Sequence, residues 1–173
     1  MDIGTITMQH DLDTSRFAAA LLEADDVGAV IRCHYEAERA LDYVLEKLTD
    51  GRSRRKAKNW AFSVKLEVCH LLGVREIWTV PLKLLNDHRN DFAHKGIDRF
   101  GDQQVMDMFH QVRQMSPAFD ESFRMTFEGK HSFDKAYNEC SRKERYVMLV
   151  AFVVGLFSSL PQIAVSQMPS IQK

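Results

Sequence analysis

Between Pro81 and Gly96, the residues Leu82, Leu85, Arg89 and Phe92 follow one another at spacings of three, four and three. Helical periodicity therefore puts an arginine where a leucine would complete an apolar stripe. An unpaired guanidinium on a buried face is costly, so Arg89 is expected to meet a carboxylate, a phosphate or a wet interface. Asn86, Asn90 and His94 recur at every fourth position and form a polar ladder on the neighbouring face. Arg89 and His94, five apart, do not stack on one face, but a long arginine can bend toward a histidine one turn later and share a pocket edge with it. Histidine titrates near ~6.5 and moves protons at neutral pH, while arginine offers a fixed fork of donors to a pair of phosphoryl oxygens. The pair suits acid–base chemistry on a phosphate. The same residues also have a structural reading, in which His94 and Lys95 complement the helix dipole in a last turn, Gly96 caps it and Arg89 joins an ion pair.

The string Leu85-Asn86-Asp87-His88-Arg89-Asn90-Asp91-Phe92-Ala93-His94 resembles the signature of the HEPN superfamily. These are all-α domains whose motif is Arg, a polar residue often Asn, a short spacer and His. In coarse helix order the resemblance covers roughly residues 15 to 160. The arrangement of Phe62, Lys65, Leu72, Gly73 and the Arg-Asn-x-x-Ala-His string is also similar to groups related to mannitol operon repressors. The resemblance implies a HEPN-like bundle of about five to seven helices. In nucleolytic members two motif helices meet in a homodimer and form a metal-independent ribonuclease site. His94 is then implied as general acid or base, Arg89 as the stabiliser of phosphate charge, and Asn90 as the residue that orients either. Attack by the ribose 2′-hydroxyl needs no metal or other cofactor and confines the substrate to RNA. Such a protein would be a toxin or phage-defence component, with an antitoxin or regulatory protein as a possible partner. The repressor-like groups imply instead a non-catalytic regulator, in transcription regulation, or a protein-interaction module on the same fold. Both readings stand open on the residues.

Other candidates are weaker. Arg52, Arg54, Arg55, Lys56 and Lys58 place five cations in seven positions with no apolar anchor, a run that can track a nucleic-acid backbone or simply be a solvated connector. His34 follows Cys33 and His70 follows Cys69, but adjacent helical residues point ~100° apart, so neither pair suggests a metal site. Met106, Met108, Met115 and Met125 lie among phenylalanines and read as core filler. No glycine-rich phosphate loop, Ser-His-Asp order or paired-carboxylate spacing occurs.

The elements that must position these residues are helical. The chain has 173 residues, 45% of them apolar and 27% charged, with only four prolines. This is the composition of one globular domain with room for long helices. A net charge of −1 supplies no global field toward nucleic acid or an anionic membrane. Three cysteines cannot all pair, and the start lacks the basic and apolar regions of a secretion signal, which points to a reduced, cytoplasmic protein. Residues 1–12 read as a flexible arm, 13–160 as the domain and 161–173 as a flexible tail.

Within the domain, Asp13 or Thr14 can cap a first helix. A second runs from Asp25 or Asp26 to near Gly51 on a stripe of Val27, Val30, Ile31, His34, Ala37, Leu41, Val44, Leu45 and Leu48. Asn59 can cap a third that stops at Gly73, and Pro81 fits the first turn of the fourth. Asp102 can cap a fifth that ends before Pro117. Residues 117–140 suggest short helical turns. The capping box Ser141-Arg142-Lys143-Glu144 opens a last helix, apolar on most sides and, from Tyr146 to Leu160, shorter than the ~20 residues of a membrane span. That helix is expected at the centre of the core.

Overall fold

The computed structural model describes residues 13–127 and 132–162. The expected arm and the tail beyond Gln162 lie outside the described residues. The fold is an all-α bundle of six helices, as the sequence implies: α1 (Thr14–Leu22), α2 (Asp26–Leu48), α3 (Phe62–Leu71), α4 (Glu76–His94), α5 (Asp102–Met115) and α6 (Arg142–Ser158). Between α5 and α6 lies one antiparallel hairpin, β1 (Arg124–Phe127) and β2 (Phe133–Ala136), with Arg124 opposite Ala136 and Phe127 opposite Phe133.

The last helix is the axis of the bundle. Tyr146, Val147, Met148, Leu149 and Val150 are consecutive and all buried, which is possible only when neighbours cover the whole circumference. α1, α2, α4 and α5 supply that cover, with α2 as the most extensive partner. Cys33, Ala29, Ala37 and Ala40 keep the facing surface of α2 shallow. The helix starts as expected: Ser141 Oγ accepts from the Glu144 N–H, and the Glu144 carboxylate accepts from the Ser141 N–H at 2.7 Å. Helical backbone continues past Ser159 through the buried Pro161 to Gln162, so Pro161 does not begin the tail. Over Arg142–Gln162 this is a helix long and apolar enough to cross a membrane. Its enclosure by four other helices makes it the core helix of the bundle instead.

Several local expectations are corrected. The buried face of α2 is rotated from the expected stripe: Ile31 is 55% exposed, while Cys33 and Glu36 are buried. Glu36 is fully buried yet paired, 3.2 Å from Arg16 of α1 and 3.0 Å from Arg39. Asn59 lies in a short 3-10 turn, and Ala61 precedes α3 without a side-chain cap. Pro81 stands well inside α4, not in its first turn, where its ring forfeits the N–H that would bond the Ile77 carbonyl. Gly101 rather than Asp102 is the cap of α5, and the Gln104 side chain accepts from its N–H at 2.9 Å. Met106 is exposed, although Met108 belongs to the core. Among the described residues of 117–140, two paired strands and a 3-10 turn stand where helical turns were expected.

The helix α4 carries the polar residues of interest, and its rotation is set from inside. Thr79, Leu82, Leu85, His88 and Phe92 are buried. The Tyr146 hydroxyl of α6 and His88 Nδ1 share a hydrogen bond at 2.8 Å. Burial pushes the Tyr146 phenol up and holds His88 below its ordinary value, so the pair is a neutral phenol and a neutral imidazole. Tyr146→Phe leaves His88 Nδ1 without its hydrogen-bonding partner in the core and is expected to cost about 1–3 kcal/mol in urea unfolding, with helical circular dichroism retained. Because folded His88 resists protonation, the unfolded chain binds more protons below about pH 6.5. Stability contributed by this residue is therefore full above that pH and is lost as the pH falls through the folded value. Denaturant midpoints measured from pH 7 to pH 5 check the direction.

Candidate functional site

The register of α4 overturns the expected place of Arg89. With His88 on the inner stripe, Arg89 is turned outward and exposed, and its guanidinium donates to the side-chain oxygen of Asn90 at 3.0 Å. The buried series is Leu82, Leu85, His88 and Phe92, and the polar position on it is a histidine satisfied by Tyr146. His94 is exposed in the last turn of α4. Lys95 and Asp91 pair at 2.8 Å beside it, and Gly96 closes the helix with φ +66°. Among the described residues no hydrogen bond or ion pair joins Arg89 to His94.

The polar ladder is anchored at its lower rung. Asn86 and Asn90 are half-buried. On α2 the His34 ring lies 3.1 Å from Asn86 Oδ1 through Nε2, and it stacks obliquely on Phe62 of α3 at 4.5 Å between centroids. Burial lowers the His34 pKa first of all; the Asn86 bond and Glu38 work against this, while the charges of Arg89 and Lys65 add to it. Sequence reasoning set His34 aside as the neighbour of a cysteine in a failed metal pair. Its four-residue phase with Glu38 on α2 was the available signal, but nothing in the sequence aligned it with Asn86.

Below His34 an ion cluster joins α3 to α2. Lys65, 1% exposed, lies 2.8 Å from Glu38 and 2.7 Å from Asp42. Burial alone would lower its pKa, but its hydrogen bonds to Asp42 and Glu38 outweigh that and hold it raised. Of the residues in the repressor-like arrangement, Phe62 therefore packs on His34 and Lys65 is a buried cation. Leu72 and Gly73 end α3, with Gly73 at φ +90°.

The basic run is elsewhere. Arg52, Arg54, Arg55, Lys56 and Lys58 are all exposed in the connection after α2. This connection is not without anchors, because Ser53 and Ala57 are buried and Thr49 Oγ1 lies 2.9 Å from Ser53 Oγ. Arg52 donates to the Thr49 carbonyl at 2.9 Å, and Arg54 lies 3.7 Å from Glu46. α2 and α4 are antiparallel: His34 meets Asn86, and at the start of α2 the Asp26 carboxylate accepts from the N–H of Phe100, just past the end of α4. The basic run leaves the opposite end of α2, about 30 Å away by helix rise. One chain thus separates the cations from His94. An open depression lined by Asp26, Arg99, Phe100, Ser141, Arg142 and Lys143 lies near the end of α4, but it includes neither Arg89 nor His94.

Among the described residues, no group of His, Cys, Asp and Glu is arranged to hold a metal ion, and Cys33, Cys69 and Cys140 are free and buried. No family model, curated protein or solved structure matches the chain. The site is thus defined by its own geometry, an exposed strip of α4 whose inner edge is fixed by α2.

Lys65→Met is expected to destabilise the fold by roughly 1–3 kcal/mol, a buried-pair penalty reduced because Glu38 and Asp42 keep partial access to water. Denaturation at low and high salt measures it, with the wild type the more salt-sensitive of the two.

Proposed function

We propose that the protein is a metal-independent endoribonuclease of HEPN type, acting as a homodimer in the cytoplasm in a toxin or phage-defence role. Arg89 stabilises the charge of the scissile phosphate, His94 is the general acid or base and Asn90 orients Arg89. The observation that supports this reading is the state of Arg89: exposed, with Asn90 as its hydrogen-bonding partner, and with no carboxylate paired to it among the described residues. A guanidinium committed to structure would be paired; this one keeps most of its donors for a phosphate. The exposed position of the motif in one chain agrees with a site completed by a second copy, since a lone helix strip cannot enclose a phosphate. Arg52, Arg54, Arg55, Lys56 and Lys58 then contact the RNA backbone at a distance from the cleavage point.

A second reading has its own support. The depression near the end of α4 leaves out both Arg89 and His94, and an exposed strip outside a cavity also suits a non-catalytic regulator or protein-interaction module on the same fold. In that case the exposed motif contacts another protein, such as an antitoxin or regulator.

RNA incubated with the purified protein in EDTA separates the two. The ribonuclease reading expects cleavage that leaves a cyclic phosphate, with rates lowered about 10²- to 10⁴-fold in His94→Ala and also strongly lowered in Arg89→Ala, the fold surviving in both. Intact RNA after incubation with the wild type, or equal cleavage by His94→Ala, would leave the interaction-module reading in its place.

A further inference from the structure

His34 is a titratable side chain of α2 that meets the polar ladder of α4 and that the reading above leaves without a role. Its ring is held on two sides, by Phe62 at 4.5 Å between centroids and by Asn86 at 3.1 Å. The Asn86 atom is Oδ1, which only accepts, so Nε2 carries the hydrogen of the neutral ring and donates it. Nδ1 is then the basic nitrogen, and it has no hydrogen-bonding partner among the described residues. Asn86 and Arg89 are three apart on α4 and share a side of the helix, so the ring and the guanidinium border the same stretch of surface.

We propose that His34 is a catalytic residue of the ribonuclease, the general base that takes the proton of the attacking 2′-hydroxyl while Arg89 holds the same phosphate. The proposal rests on the ribonuclease reading and adds to it a base contributed by α2. Nδ1 of His34 accepts the 2′ proton as the O2′–P bond forms. The P–O5′ bond breaks with its electron pair, and O5′ takes a proton from His94, which holds the acid role. The products are a 2′,3′-cyclic phosphate and a 5′-hydroxyl, and both rings return to their starting state by exchange with water. The groups facing His34 agree with a neutral ring at the start. Burial and the cations Arg89 on α4 and Lys65 on α3 oppose its protonation, and they outweigh Glu38 on its own helix and the Asn86 bond.

The test compares wild type, His34→Ala and His34→Gln on a single-stranded oligoribonucleotide in EDTA, with kcat and KM determined separately. Binding to the all-deoxy oligonucleotide, which lacks the attacking hydroxyl, is measured by anisotropy. Glutamine keeps an amide donor for Asn86 but has no basic nitrogen. A base role expects kcat to fall about 10²- to 10⁴-fold in both variants, with KM and deoxy-oligonucleotide binding within about threefold of wild type. If His34→Gln restores kcat to near the wild-type value, the ring serves only to hold Asn86 and the proposal is overturned, while the ribonuclease reading stands. Full activity in His34→Ala has the same meaning. Should the wild type itself leave RNA intact, the ribonuclease reading fails and this proposal fails with it. If the alanine variant does not fold, His34→Gln alone decides between a base and a purely structural ring.

Discussion

A helix that is apolar around its whole circumference is stable in water only if other elements cover it on every side, and α6 imposes that demand on the rest of the chain. Its residues from Tyr146 to Val150 are buried on every side, and farther along Val153, Val154, Phe157 and Ser158 are buried while Ala151, Phe152, Gly155 and Leu156 are partly covered. Each of α1, α2, α4 and α5 must therefore turn an apolar surface inward, and the shallow alanine-rich face of α2 brings that long helix close to it. At roughly 25 cal/mol per Å² of apolar surface removed from water, this enclosure is the principal favourable term in the fold. The polar contacts mostly select which of several packings is adopted.

The contact between Tyr146 and His88 shows that selection at work. Burying a phenol and an imidazole is costly unless each satisfies the other, and their hydrogen bond exists in only one rotation of α4. A rotation of ~100°, one residue's worth, would put Arg89 inward and leave Tyr146 unpaired. The sequence alone did not distinguish these two registers. Leu82, Leu85 and Phe92 are common to both, and the series is helical whether position 88 or position 89 completes it. Arginine stood out as the anomaly because its charge is fixed, whereas a histidine can enter a core neutral once a hydrogen-bonding partner waits there. That partner is more than fifty residues away on α6, outside any periodicity argument.

What was legible was local. The capping box before α6, the caps near Asp13 and Asp25, the left-handed glycines after α3 and α4 and the number of helices all follow from residues close together in the chain. The hairpin was hidden because Phe119, Phe123 and Phe127 are four apart, a helical interval. In the structure Phe119, Phe123 and Phe152 form an aromatic cluster, and Phe127 stacks on Phe133 across the strands at 5.5 Å. An aromatic spaced for a helix can serve equally at a bend and then in a strand, and tertiary packing decides between them. Of the candidate site, the residue types were legible and their directions were not. Arg89, Asn90 and His94 are together on α4 as their spacing requires, but the partner from α2, His34, and the separation from the basic run depend on how α2 and α4 lie against each other.

Constraint along α4 is uneven, and this bears on what the exposed strip can do. The inner side is locked at Leu82, Leu85, His88 and Phe92. On the outer side Asn86 is tied to α2, Arg89 is tied among the described residues to the adjacent Asn90, and His94 is in the final turn, where backbone carbonyls have no helical partner. Preorganisation thus declines from Asn86 toward His94. Groups that must meet a reacting atom within a fraction of an ångström gain most from being held by packing and hydrogen bonds. By that criterion the His34–Asn86 end of the strip is already fixed in a single chain. The His94 end would need to be ordered by a ligand or by a second protein surface, and the entropy of ordering would be drawn from that contact. Whatever binds this strip must therefore do more at the end of α4 than at its middle.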